Sequence, residues 1–311
     1  MKYALIFTLL LAGNALHALT QEEFKRREEL LRTAIKSVAA ACEADTTRIA
    51  AQRIAADCDT TKRMVLNRIF AAQFEQALRQ DSAFFYPFAA IPYVYQVSSR
   101  NGLVRVLTWL VPMPDGNRYF GFALTRKNRS DTKATITVLH DRRRTTRLVE
   151  NAELAANEWF GALYTAIVER PIPYTNETLY TLVGISPIGG SSPSNKKIVD
   201  VLNVKPDGTC TFGAPVFVRK NTVNHRMIFE YSAQAVMELR YVESTRMIVF
   251  STLQPMYPQL RGRYEHYIPG ENFDAVRFEN GEWRLREGVR PPSNIPVRTR
   301  GRYDRRTGLR T

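Results

Sequence analysis

The sequence predicts a mainly β protein, an antiparallel meander divided in a propeller-like way into small sheets and preceded by a small α-helical segment. A barrel or a sandwich would satisfy the same signals. Three observations lead there. From residue 82 to about 286, segments of five to ten residues rich in Val, Ile, Tyr, Phe and Thr alternate with turn signals. Pro114-Asp115-Gly116, Pro206-Asp207-Gly208 and Asn280-Gly281 place glycine where tight hairpins need a positive φ. Such short links join antiparallel neighbours, since parallel strands need crossovers of about a dozen residues or more. About a dozen strands also exceed what one open twisted sheet holds comfortably, so the sheet must close or divide.

The chain opens with an export signal over residues 1–18. Lys2 supplies the positive start, residues 3–12 are apolar apart from Thr8, and Asn14-Ala15-Leu16-His17-Ala18 offers small residues at a cleavage point. The apolar run is about half the ~20 residues of a membrane-spanning helix, so cleavage is favoured over a retained anchor. With no cysteine at the cut, a lipid-anchored lipoprotein is disfavoured.

Residues 19–80 form the helical segment. Thr20-Gln21-Glu22-Glu23 fits a capping box. Phe24, Leu31, Ile35, Val38 and Cys42 then recur at helical spacing, with Lys25, Arg26, Arg27, Glu28 and Glu29 assigned to the solvent side. Asp45-Thr46-Thr47 and Asp59-Thr60-Thr61 each can cap a following helix, over 47–57 and 61–79. In the second, Leu66, Phe70, Phe74, Ala77 and Leu78 make a stripe that reads as core against the main domain. Cys42 and Cys58 are candidate disulfide partners in an exported chain. One continuous helix between them would hold the sulfurs roughly 24 Å apart and forbid the bridge, so it requires a turn near Asp45. Cys210 reads as a small apolar residue near a strand start.

Residues 81–290 make the β domain, with strands expected over 103–111, 118–126, 133–140, 161–168, 178–186, 197–204, 211–218, 226–231, 235–242, 246–252, 273–278 and 282–285. Turn spacing shows no clean 40-residue period, which weakens a propeller, yet residues 273–283 look like a Trp-bearing hairpin at a blade edge. Residues 291–311 read as a disordered basic tail. They hold two prolines at the start and few large apolar residues, so nothing offsets the entropy of ordering. Arg298, Arg300, Arg302, Arg305, Arg306 and Arg310 against Asp304 give this tail +5 of the chain's formal +14. These arginines are the candidate polyanion-binding residues, with an anionic lipid headgroup, lipopolysaccharide or acidic glycan as partner and no nucleic acid expected.

Within the β domain, Phe84-Phe85-Tyr86-Pro87-Phe88, Val104-Arg105-Val106-Leu107-Thr108-Trp109, Tyr119-Phe120-Gly121-Phe122 and Trp159-Phe160-Gly161-Ala162-Leu163-Tyr164, with residues 195–202, 212–217, 228–233 and 273–283, resemble a family of exported proteins of Bacteroidota-type Gram-negative bacteria. The likeness spans roughly residues 84–285. It implies an exported envelope protein and supplies no activity or catalytic residue.

Chemistry is sparse. His140, His225 and His266 are far apart, without the paired spacing of a zinc site, and no metal or cofactor is expected. His140-Asp141 could orient an imidazole for base catalysis, but it runs into Arg142-Arg143-Arg144, which reads as an exposed strand end. The Gly- and Ser-rich stretch 184–195 matches neither a phosphate-binding loop nor a nucleophile elbow; it reads as a connector, or as a mobile loop over a binding face. Glu230, Glu238 and Glu243 could supply a carboxylate pair for glycoside hydrolysis, but alternation sets them on a solvated face beside Arg226 and Arg240. Trp109, Trp159 and Trp283 could line a groove, although aromatics in β domains are mostly core. The reading is an exported soluble envelope protein that binds or scaffolds, with an envelope hydrolase as the alternative.

Overall fold

A computed structural model describes residues 19–41, 59–143 and 149–290. The export signal, Cys42, Cys58, the helix expected over 47–57 and the six tail arginines lie outside these residues. Helix α1 (Gln21–Ala40) starts at the expected capping box: the Thr20 hydroxyl accepts from the Glu23 N–H at 3.2 Å, and the Glu23 carboxylate accepts from the Thr20 N–H at 2.6 Å. Helix α2 (Thr60–Leu78) is capped by Asp59, whose carboxylate accepts from the Lys62 N–H at 2.8 Å.

Arg63 of α2 ties the helices together. Its Nε donates to the Val38 carbonyl at 3.0 Å, Nη2 to Ala39 at 2.9 Å and Nη1 to Pro112 at 2.6 Å. A cation there satisfies orphan carbonyls at the end of α1, where the helix dipole is negative. Glu28 departs from expectation. It is 8% exposed, its carboxylate accepting from the Tyr86 hydroxyl at 2.7 Å and the Ala90 N–H at 2.6 Å. The segment after α2 folds back over this face of α1, which the helical period could not foretell.

Among the described residues sixteen strands follow. The first sheet is the meander β1 (Tyr95–Ser98), β2 (Val104–Val111), β3 (Arg118–Thr125) and β4 (Thr135–His140). The second contains β5 (Leu154–Ala155), β6 (Leu163–Pro171), β7 (Thr178–Pro187), β8 (Ser194–Val204) and β9 (Cys210–Phe212), in the order β5-β9-β8-β7-β6. The third holds β10 (Phe217–Arg219), β11 (Thr222–Asn224), β13 (Leu239–Val242), β14 (Met247–Pro255), β15 (Tyr267–Glu279) and β16 (Glu282–Val289), ordered β11-β10-β16-β15-β14-β13. Strand β12 (Met227–Ser232) returns to pair with β8 of the second sheet. Among the described residues no sheet closes into a barrel, and every pairing is antiparallel except β10 on β16. The strand expected over 211–218 is in fact two, β9 and β10, because Gly213 turns the chain at φ 95° before Pro215. Similarly, the strand expected from 235 begins only at Leu239.

The layers stack in chain order. Leu107, Trp109 and Val111 of β2 pack against Phe70 and Phe74 of α2, while Val104 and Val106 face Leu182 and Ile198 of the second sheet. Val199 and Val201 on the other face of β8 meet Phe250 and Trp283 of the third sheet. The first two sheets are thus covered on both faces, and β2 is buried at every position but Leu110. All three tryptophans are core, their indole N–H groups donating to Asn67, Tyr164 and Thr181 at 2.8, 2.9 and 2.8 Å.

Candidate functional site

The site begins at a split edge. Strand β8 is eleven residues long; β12 pairs with its residues 194–199 and β9 with 202–204, leaving Asp200 and Val201 at the gap. Arg226, immediately before β12, fills that gap with no exposed surface. Its Nε lies 3.0 Å from Asp200 Oδ1, Nη2 donates to the Phe212 carbonyl at 2.8 Å, and Nη1 donates to the carbonyls of Ala152, at 3.0 Å, and Val149. The solvated face expected for Arg226 is therefore overturned. It sits outside the alternating strand, where the sheet needs a multivalent donor for carbonyls that no strand pairs. Burial pushes the Asp200 carboxyl above its ordinary value, with Arg226 pulling the other way.

Arg226 also builds the wall of a cleft of about 590 Å³ between the second and third sheets. The Val149–Asn151 turn it holds forms one side, β12 the floor, and β14 with the aromatic residues of the β14–β15 connection the other side. Tyr264 is 52% exposed, and its ring centroid lies 5.0 Å from that of Tyr267 at 46°. Three carboxylates line the cleft, each engaged. Glu230 accepts from the Ser194 hydroxyl at 2.5 Å and pairs with Lys196 at 3.2 Å. Glu150 accepts from the Ile228 N–H at 3.2 Å, and Asp274 from the Gly288 N–H at 2.9 Å. Arg219 adds a further cation.

Of the candidate site residues singled out in the sequence that are described, only Glu230 lies in this cleft. Glu238 pairs with Arg240 at 3.2 Å and Glu243 with Arg100 at 2.8 Å, each at a separate place. His140 is exposed at the end of β4, and Asp141 turns away from it, accepting from the Tyr119 N–H at 3.2 Å and pairing with Arg143 at 3.3 Å. Arg143 itself corrects the exposed strand end. Its side chain is 8% exposed, stacks 4.1 Å from the Tyr119 ring centroid and donates to Ser186 Oγ at 3.1 Å. His266 stands 3.7 Å from Glu265, while His225 is half-buried, and desolvation and neighbouring Arg226 hold its imidazole below its usual value. Cys210 is buried at the first residue of β9, and burial pushes its thiol up to about 12.

The β7–β8 connection is clasped by the β2–β3 turn. The Asn117 N–H donates to the Ile188 carbonyl at 2.7 Å and its side-chain amide to Pro187 at 2.9 Å. Gly190, at φ 60°, passes so close that a Cβ would lie 2.7 Å from the Pro114 carbonyl oxygen. Tyr264, Tyr267, Glu150, Asp274 and Arg219 carry no sequence signal beyond residue type. The aromatic run between two expected strands is the one trace of the lip.

Among the described residues no group of three or more His, Cys, Asp or Glu side chains is placed to hold a metal, and no helix is long and apolar enough to cross a membrane. Comparison of the chain with protein-family models, curated proteins and solved structures finds no match.

Proposed function

We propose that the protein is an exported, soluble cell-envelope protein with a binding or scaffolding role, and that the cleft bounded by β12, β14 and the Tyr264–Tyr267 lip is its ligand contact. The observation that carries this reading is an open, aromatic-edged cleft whose three carboxylates are each spent on a structural hydrogen bond. Such a lining offers contact area and orienting polar groups without a nucleophile held beside a base. The tripartite start of the chain and the resemblance of residues 84–285 to exported proteins support the location. The arginines of residues 298–310 supply a second contact, toward an anionic envelope component.

Titration calorimetry with solubilised lipopolysaccharide and with soluble peptidoglycan fragments tests the cleft. Tyr264→Ala with Tyr267→Ala is expected to abolish binding while leaving the melting temperature within about 2 °C, since Tyr264 is half in solvent. Binding unchanged by the pair removes the cleft from the proposal. Intact-mass measurement on the envelope fraction tests export; retention of residues 1–18 counts against it.

A further inference from the structure

The floor of the cleft is a strand with one partner. Strand β12 pairs with β8 along its whole length, and among the described residues no strand pairs with its other edge. Hydrogen bonds fix which backbone groups face that open edge. The Ala233 N–H donates back to the Pro193 carbonyl, so the odd-numbered residues of β12 are those bonded to β8. The Ile228 N–H is taken by Glu150 from the opposite side, and the Ser232 carbonyl accepts from the Ala235 N–H beyond the strand end. Since antiparallel residues alternate between bonding one neighbour and the other, Ile228, Glu230 and Ser232 direct their backbone groups to the open edge, where the Ile228 C=O and the Glu230 N–H and C=O face the cleft and the Ser232 N–H continues the row beyond it.

We infer that the cleft takes an extended polypeptide segment, added to the second sheet as a strand along β12. Rows of unpaired backbone groups are templates for such addition, and this one is recessed between walls rather than laid on an open surface. A strand seated there turns alternate side chains toward the two walls. Glu230 and Lys196 offset each other as a pair at 3.2 Å, which leaves the Glu150 and Asp274 carboxylates against the single cation of Arg219. The lining therefore favours a segment with basic residues on one face, while Phe229 and Phe250, whose ring centroids lie 4.7 Å apart, give its apolar face a place to pack. Glu150 closes the Ile228 end and marks where the added strand stops.

This inference rests on the cleft being a ligand contact, and its test separates the two. A fluorescein-labelled heptapeptide of alternating valine and lysine is titrated into the protein and followed by anisotropy. Two N-methylated forms, each blocking one alternate set of N–H groups, are then compared. Strand addition predicts that one form binds at least about tenfold more weakly, having lost hydrogen bonds to the edge, and that the other binds like the parent. Equal binding of the two forms overturns it. On the protein side, Glu230→Pro removes a cleft-facing N–H without touching the ladder to β8, as an edge strand tolerates. Glu230→Gln keeps the N–H and removes the charge. The proline variant is expected to lose about tenfold relative to the glutamine variant, with melting curves confirming that both fold. If the peptide does not bind but lipopolysaccharide or peptidoglycan fragments bind through Tyr264 and Tyr267, strand addition is wrong and the ligand contact stands. If none of the three binds, both fail.

Discussion

Arg226 and Asp200 meet at 3.0 Å with neither side chain exposed, and this pair joins β8, β9, β12 and the turn that walls the cleft. Among the described residues Asp200 Oδ2 has no hydrogen-bond partner, so the described contacts compensate the ion almost entirely through Oδ1. Removing either partner strands a buried charge, which costs about 3–5 kcal/mol. Arg226→Met and Asp200→Asn are each expected to lower the urea midpoint accordingly, the first more because it also abandons three carbonyls. Losses below about 1 kcal/mol in both would show that the junction is held by packing instead.

Gly190 and Gly262 make a matched test of the loop clasp. Both have positive φ, 60° and 86°, but a Cβ on Gly190 would meet the Pro114 carbonyl oxygen at 2.7 Å whereas one on Gly262 would meet nothing within 4 Å. Gly262→Ala should cost only the left-handed backbone preference, about 1–2 kcal/mol. Gly190→Ala should cost about 2 kcal/mol more, because backbone rather than a flexible side chain must yield. Equal thermal shifts for the two variants would refute the clasp.

Arg63→Met keeps the apolar stem of the side chain and deletes the donors to Val38, Ala39 and Pro112. Hydrogen bonds from a charged group are worth about 1.5–3 kcal/mol each at most, so a loss of about 2–4 kcal/mol is expected for the set. Hydrogen exchange should locate the loss in the last turns of α1. Uniform exchange across α1, unchanged from the parent, would contradict it.

Alkali should destabilise the protein through two buried groups, the Cys210 thiol and the Tyr119 phenol, that hold their protons in the folded state. Burial pushes Cys210 up to about 12 from 9.0 and Tyr119 up to about 12 from 10.0. The folded state then retains protons that the unfolded chain releases. This contribution is whole below pH 9 and is lost as the pH rises toward 12, at about 1.4 kcal/mol per unit for each group once past its unfolded value. Urea midpoints measured at pH 8, 10 and 11 should fall, and Cys210→Ser should flatten the first part of the fall. Cys210 should also stay inert to thiol reagent until the protein is unfolded.

Much of the scaffold was legible because its signals are local. Thr20 and Glu23 meet within one helical turn, Asp59 reaches the Lys62 N–H, and Asn280 and Gly281 take φ values of 52° and 87° in the tight β15–β16 turn. Neighbours in sequence decide each of these. The short strands β1, β5 and β11 were not expected, since four residues or fewer give too little alternation to read and depend on the partner they pair with.

Charged residues were misplaced wherever burial came from far away. Glu28 meets Tyr86 across 58 residues, Arg226 meets Asp200 across 26, and Arg143 meets Ser186 across 43. A charge on a helix or beside a strand defaults to solvent, and only a partner brought by the fold makes its burial tolerable.

By itself the sequence determined the class of the protein: capped helices and then many short antiparallel strands, because caps, turn glycines and two-residue alternation act over a few bonds. Tertiary structure alone decided the division into three sheets, the split edge of β8 and the cleft beneath the Tyr264–Tyr267 lip. Those depend on which strands meet, and the Glu150 carboxylate that closes one end of β12 comes from 78 residues away from the N–H it accepts. Local preference cannot choose among pairings that satisfy the same alternation equally well; the buried charges and close glycine contacts that fit only one assembly can.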